Sequence, residues 1–122
     1  MAEKRATQAE ALMEHYYHRD DLAKFPEIGK ASPELWQKFL DWYSAVFSEG
    51  ALSEREKALI ALAVAHTVQC PYCIDAYSSA CLEKGSNIEQ MTEAIHVAAA
   101  IRGGSSLVHG VQMRNIVEKM EM

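Results

Sequence analysis

All three cysteines of the chain fall in one stretch, "HTVQCPYCIDAYSSACLEKG", residues 66 to 85. Cys70 and Cys73 form a Cys-x-x-Cys pair with Pro71 directly after the first. Proline right after Cys70 is what the first position of a helix favours, which makes Cys70 the residue that caps it. Cys73 then lies about 4.5 Å further along the helix axis at 1.5 Å per residue. A disulfide needs Cα atoms about 4.4–6.8 Å apart, so the pair can close and reopen without unwinding the helix. The unpaired N–H groups and the dipole at a helix start also favour the thiolate, the reactive form. Redox chemistry is thus one reading. Zinc binding is a second, but a structural zinc wants four ligands, and the further candidates are His66, one turn before Cys70, and the distant His96 or His109. Two inert thiols packed as small apolar groups are the third. The spacing at a helix start favours the redox reading, and no metal is expected.

The elements that must position this pair read as helices throughout. No period-two run and no Asn-Gly or Asp-Gly hairpin signal occurs. A polar helix is expected over about 5 to 19, then a loop, "FPEIGKAS" (25 to 32), with Pro26 and Gly29 as breakers. Ser32-Pro33 opens the next helix, whose apolar stripe is Leu35, Trp36, Phe39, Leu40, Tyr43, Val46 and Phe47. Ser53 and Glu56 fit a capping box ahead of "KALIALAVAHTV", a run apolar nearly all round and so expected to be central and buried. The helix begun at Cys70-Pro71 should stop at Lys84-Gly85. Ser86 or Asn87 caps a fifth helix with the stripe Ile88, Met91, Ile95, Ala98 and Ala99. Gly103-Gly104 either breaks that helix or permits a close helix–helix approach, and a last helix runs from about Ser105 to Lys119. The expected architecture is one all-α domain over 1–122, an N-terminal helix and loop to residue 31 and a core from 32 onward.

Composition bounds the function. With 122 residues, 49% of them hydrophobic, one domain with a real core is expected. Seventeen acidic residues against twelve basic ones, with no basic cluster, argue against a nucleic-acid surface. The longest apolar run, "ALIALAVA" (58 to 65), falls far short of the roughly 20 residues that span a bilayer. The polar N-terminal stretch lacks the apolar segment of a signal peptide. An odd cysteine count does not suit a secreted disulfide framework, so a cytoplasmic protein is expected. No glycine-rich phosphate loop is present, and no organic cofactor is expected.

The stretches "LSEREKALIALAVAHTVQCPYCIDAY" (52 to 77) and "IEQMTEAIHVAAAIRGGSSLVHG" (88 to 110) resemble the alkylhydroperoxidase D / carboxymuconolactone decarboxylase family, over most of the chain from about residue 33. The resemblance implies an all-α fold, small subunits assembled as homo-oligomers (dimers, trimers or hexamers), and a peroxidase cycle. In such a cycle the cysteine matching Cys73 attacks the peroxide. The one matching Cys70 resolves the sulfenic acid to a disulfide, and a thiol-reducing protein or small thiol reopens it. The family's proton relay uses a Glu twelve residues before the first cysteine and a His four after the second. Here those positions hold Ala58 and Tyr77.

Other residues are candidates for the vacant roles. Glu56 is two positions early and is already claimed by the capping box. His66 is one candidate, since histidine as a residue type suits a base for a thiol; its alternative is an ordinary half-buried histidine. Tyr77 lies one turn after Cys73 and can donate a hydrogen bond to a thiolate or peroxide; its alternative is a packed aromatic. His109 is a further candidate for the same pocket. Cys81, about 12 Å beyond Cys73 and roughly 80° round the helix, cannot pair with it and is expected in the core. "CPYCIDAYSSACLEKG" is also similar to a peroxidase-like subgroup that accompanies the arsenic-handling enzymes of arsenosugar synthesis. That likeness keeps open a binding function, in which the thiolates capture arsenite or another thiophile. A decarboxylase activity without a redox pair is the third alternative.

Overall fold

The computed structural model describes residues 18–122, so the helix expected over 5 to 19 lies almost wholly outside the described residues. The chain divides into two compact units, Met1–Ser48 and Glu49–Met122. Among the described residues every element is helical, as the missing strand signals require.

The described part of the first unit holds a 3-10 helix, Arg19–Lys30, and helix α1, Pro33–Phe47. The 3-10 helix corrects the expected loop at 25 to 32. It runs through Pro26, and only Ala31 and Ser32 separate it from α1. Gly29 does not break the chain but packs. It is buried, and a Cβ there would stand 2.9 Å from the Cβ of Trp36 and closer still to its ring. The α1 stripe is realised as a run of stacked aromatics. Phe25 meets Trp36 edge-on with centroids 5.0 Å apart, and Trp36–Phe39, Phe39–Tyr43 and Tyr43–Phe47 follow at 5.7, 5.4 and 4.8 Å. Spacings of three and four bring these rings together on one face. Leu35 and Val46, expected in the stripe, are exposed.

The second unit holds α2 (Glu54–Val68), α3 (Pro71–Glu83) and α4 (Ile88–Glu121). The capping box forms as its sequence dictates: Glu56 N–H donates to Ser53 Oγ, and Ser53 N–H to Glu56 Oε1, both at 3.0 Å. Asn87 and Gln90 make the same reciprocal pair ahead of α4 at 2.8 and 3.0 Å. The core lies where α3 and α4 pack on α2. It comprises Ala58, Leu62, Cys81 and Met91, with Leu59, Tyr77 and Ala80 against it. Polar contacts fasten the rim: Lys84 Nζ lies 2.6 Å from Glu54 Oε2, and Arg55 Nε donates to the buried Ser86 Oγ at 3.3 Å.

Two expectations are corrected in this unit. The apolar run of α2 is buried on one face only. Ala58, Leu62 and Ala65 are inside, whereas Ile60, Val64 and Val68 are at least half exposed. Residues 88 to 121 form one helix of 34 residues rather than two. A glycine inside a helix costs about 1 kcal/mol but does not stop it. Neither Gly103 nor Gly104 takes the left-handed conformation that would end a helix, and no proline follows them. Among the described residues a Cβ at either would meet nothing within 4 Å, so no close helix approach among them explains these glycines. The last buried residue of α4 is Ala98. Beyond it Leu107, Val108, Val111, Ile116 and Met120 are all more than half exposed.

Candidate active site around Cys70 and Cys73

The cysteine pair sits where α2 hands over to α3. Helix α2 closes in a Schellman motif: Cys70 N–H donates to Ala65 C=O at 3.1 Å and Gln69 N–H to His66 C=O at 3.3 Å. The left-handed residue this motif needs is Gln69, with φ +58°. The end of α3 shows the same motif in its usual form, with Gly85 at φ +90°, Ser86 N–H donating to Cys81 C=O at 2.9 Å and Gly85 N–H to Leu82 C=O at 3.1 Å. At Gln69 a side chain is carried through a conformation that costs an L-residue about 1–2 kcal/mol. Strain of this kind next to reactive residues is what functional sites accumulate.

Cys70 therefore serves two helices at once. Its N–H closes α2, while its carbonyl accepts from Ile74 N–H at 2.9 Å and its sulfur accepts from Cys73 N–H at 3.2 Å, capping α3. Serine, threonine or aspartate normally offers oxygen at such a cap; here sulfur fills the role. The Cys70 and Cys73 sulfurs are joined as a disulfide across a Cα–Cα distance of 5.2 Å, inside the range the helical spacing gives. The bond lies beside α3's own N-terminal N–H groups, which favour whichever sulfur is released as a thiolate.

The surroundings sort the other candidates. His66 is half-buried, and its Nδ1 lies 2.8 Å from Leu62 C=O. A carbonyl can only accept, so Nδ1 carries the hydrogen of this bond. His66 stands four residues ahead of Cys70, with its ring fixed by this bond. Tyr77 is half-buried with its ring against the Ala58–Leu62–Cys81–Met91 cluster. Ala58, at the relay position, is 4% exposed and belongs to that cluster, so no carboxylate reaches the pair from there. Glu56 is committed to its cap. The backbone N–H of Ser53, then its hydroxyl, hold the Glu56 carboxyl below the usual range. His109 is exposed, seven residues beyond Arg102 and so about 10 Å farther along α4. Cys81 is completely buried, and loss of solvation pushes its thiol up, as a core role requires. Among the described residues no three His, Cys, Asp or Glu side chains gather as a metal site would need.

Two features of the site carry no sign in the sequence. Gln69 has none of the glycine or asparagine signal that marks a left-handed cap. Arg102 Nη1 donates to Thr67 C=O at 2.9 Å, a contact between residues 35 apart in the chain, which no local pattern announces.

A profile of the carboxymuconolactone decarboxylase family matches residues 33–113, which takes in α1, α2, α3, the cysteine pair and most of α4. The chain belongs to the carboxymuconolactone decarboxylase family. A family protein from Legionella pneumophila, solved in its apo form, superimposes with a TM-score of 0.63 at 29% identity, covering 84% of this chain and 92% of that one. A crystal structure of a Methanobacterium thermoautotrophicum protein superimposes with a TM-score of 0.66 at 37% identity, over 69% and 94%. "Uncharacterized protein 4 in cox locus" of Paracoccus denitrificans is 36% identical over 99 residues, 81% of this chain and 89% of that protein. The fold of this carboxymuconolactone decarboxylase family member is thus the one its motifs implied, the alkylhydroperoxidase D-like helical fold. Among the described residues no helix is long and apolar enough to cross a membrane.

Proposed function

We propose that the protein is a thiol-dependent peroxidase-like oxidoreductase whose centre is Cys70–Cys73. The observation that carries the reading is the disulfide at the start of α3, with Cys70 acting as cap to that helix. In the first step the Cys73 thiolate attacks the terminal oxygen of a hydroperoxide. The O–O bond breaks, the alcohol leaves with a proton, and Cys73 becomes a sulfenic acid. His66 Nε2, and the Tyr77 hydroxyl as a hydrogen-bond donor, serve the proton movements in place of the missing Glu and His. In the second step Cys70 displaces water from the sulfenic acid and the disulfide forms. A protein dithiol, or two equivalents of a small thiol, then returns two electrons and two protons.

The helix start stabilises negative charge on Cys70 more directly than on Cys73, which suits the last step. A thiol of low pKa leaves faster, so a reductant that attacks Cys73 releases Cys70 readily. The direct test is a peptide map. Fully reduced protein is given one equivalent of a hydroperoxide, its remaining thiols are blocked, and the cysteines are located by mass. The expected result is fast loss of two hydrogens confined to the Cys70–Cys73 peptide, with Cys81 blocked only after denaturation. Slow or scattered oxidation would overturn the peroxidase reading. Tight arsenite capture by the same reduced pair would then favour thiophile binding, the reading that the absence of a relay carboxylate at the buried Ala58 supports.

The protein is also proposed to work as a homo-oligomer. Monomers seldom leave apolar patches above a few hundred Å² in water. The outer face of α2 and the half of α4 beyond Ala98 leave Val64, Val68, Leu107, Val108, Ile116 and Met120 largely exposed. Light scattering at micromolar concentration should give a mass of at least two 13.6 kDa chains. A strictly monomeric mass would remove this part of the proposal.

A further inference from the structure

Cys70 lies between two helix ends of opposite polarity. The N-terminal end of α3 favours a thiolate there; the C-terminal end of α2, with its carbonyls aimed the same way, opposes it. The Schellman motif occupies two of those carbonyls, Ala65 and His66, with backbone N–H groups. The next one, Thr67 C=O, takes its hydrogen bond from Arg102 Nη1. The Thr67 hydroxyl is turned back to Ala63 C=O at 3.0 Å. A guanidinium from α4 is thereby fixed on the negative end of α2, three residues before Cys70. It is always charged, and it uses one of five N–H donors for this contact.

We propose that Arg102 is a positioning residue for the Cys70–Cys73 centre: by capping the C-terminal end of α2 it cancels the charge that would oppose a Cys70 thiolate and holds the Gln69–Cys70 turn in place. The inference rests on the pair being a reversible disulfide, as in the proposed function, but not on what oxidises it. The relevant equilibrium is disulfide plus two glutathione thiols giving the dithiol plus glutathione disulfide. It needs no peroxide and no turnover.

The test compares wild type, Arg102→Gln and Arg102→Lys. Glutamine keeps a donor and loses the charge; lysine keeps the charge and loses the planar fork. For each protein, the ratio of dithiol to disulfide is measured in glutathione buffers, and the alkylation rate of reduced Cys70 is followed against pH by peptide mass. Arg102→Gln should move the equilibrium toward the disulfide by about two- to fivefold and shift the Cys70 profile to higher pH. Arg102→Lys should recover most of both changes. Other titratable groups close to the turn in the chain are His66, Tyr72, Cys73 and Asp75, and the helices packed about it also carry Tyr77, Cys81, Glu93, His96 and His109, among others. All are retained in every variant, so the difference reports the guanidinium. If Arg102→Gln leaves both the equilibrium and the profile where wild type has them, the proposal is overturned. It is overturned as well if Lys and Gln produce equal shifts, because the contact would then serve only to hold the helices together. A wild-type pair that exchanges with glutathione but ignores peroxide would defeat the peroxidase reading and leave this one standing.

Discussion

Cys73→Ser should abolish hydroperoxide turnover, with a loss of about three orders of magnitude or more, because a serine hydroxyl is not ionised at neutral pH and cannot form a sulfenic acid. Cys70→Ser should behave differently. It keeps the attacking thiol and loses the resolving one, so a single equivalent of peroxide is consumed and the reaction stops at a sulfenic acid on Cys73. The fold should survive both changes. Cys70 caps α3 through its side chain, and serine offers an oxygen to the same Cys73 N–H. The measurement is peroxide consumption over time with excess thiol, together with trapping of the sulfenic acid by a carbon nucleophile and its location by mass. Full turnover in Cys73→Ser would remove the mechanism. Full turnover in Cys70→Ser with loss in Cys73→Ser would keep the nucleophile and discard the internal disulfide, leaving the external thiol to resolve the intermediate.

The largest stability effect is expected at Leu62. It is 1% exposed and stands at the middle of α2, where α3 and α4 close over it with Cys81, Met91 and Ala58. Leu62→Ala deletes a buried side chain from a small core with little left to collapse into the space. The cost is about 2–5 kcal/mol. Set against the roughly 5–15 kcal/mol that holds a typical domain together, that is a large fraction. Thermal unfolding of the reduced protein should show a midpoint about 10–20 °C lower. A change within error of wild type would mean that α2 is not the centre of the packed unit. Leu62 also accepts the His66 Nδ1–H through its carbonyl. The acceptor belongs to the backbone, so the substitution should leave the His66 Nδ1–H bond intact wherever the helix remains folded.

Much of the scaffold is legible in the sequence because its signals are local. A capping box needs its two partners three residues apart, and Ser53 with Glu56 supplies both groups without help from the rest of the chain. Pro71 fixes its own φ and lacks the N–H that a first turn could not use, so the start of α3 follows from one residue and its neighbour. Gly85 ends α3 because glycine takes a positive φ without penalty. Where the rule is a tendency rather than a constraint, the sequence misleads. Gly103-Gly104 weakens a helix by an amount that its neighbours outweigh, and α4 runs on. The apolar circumference of α2 shows that its residues avoid water, but not which partner covers each side; among the described residues it is the Ala58–Leu62–Ala65 face that is buried.

By itself the sequence determined the helical class, most helix ends, the disulfide-competent spacing of Cys70 and Cys73, and, through its likeness to a family, the chemistry worth testing. Those features depend on contacts within four or five residues, where chain geometry leaves few choices. Only the tertiary structure decided that Ala58 is core, that Tyr77 packs on that core, that Gln69 takes the left-handed cap, and that Arg102 reaches Thr67 from another helix. The physical reason is the same in each case. Burial, strain and a hydrogen bond between residues 35 apart are set by which surfaces meet, and residue types alone do not specify that meeting.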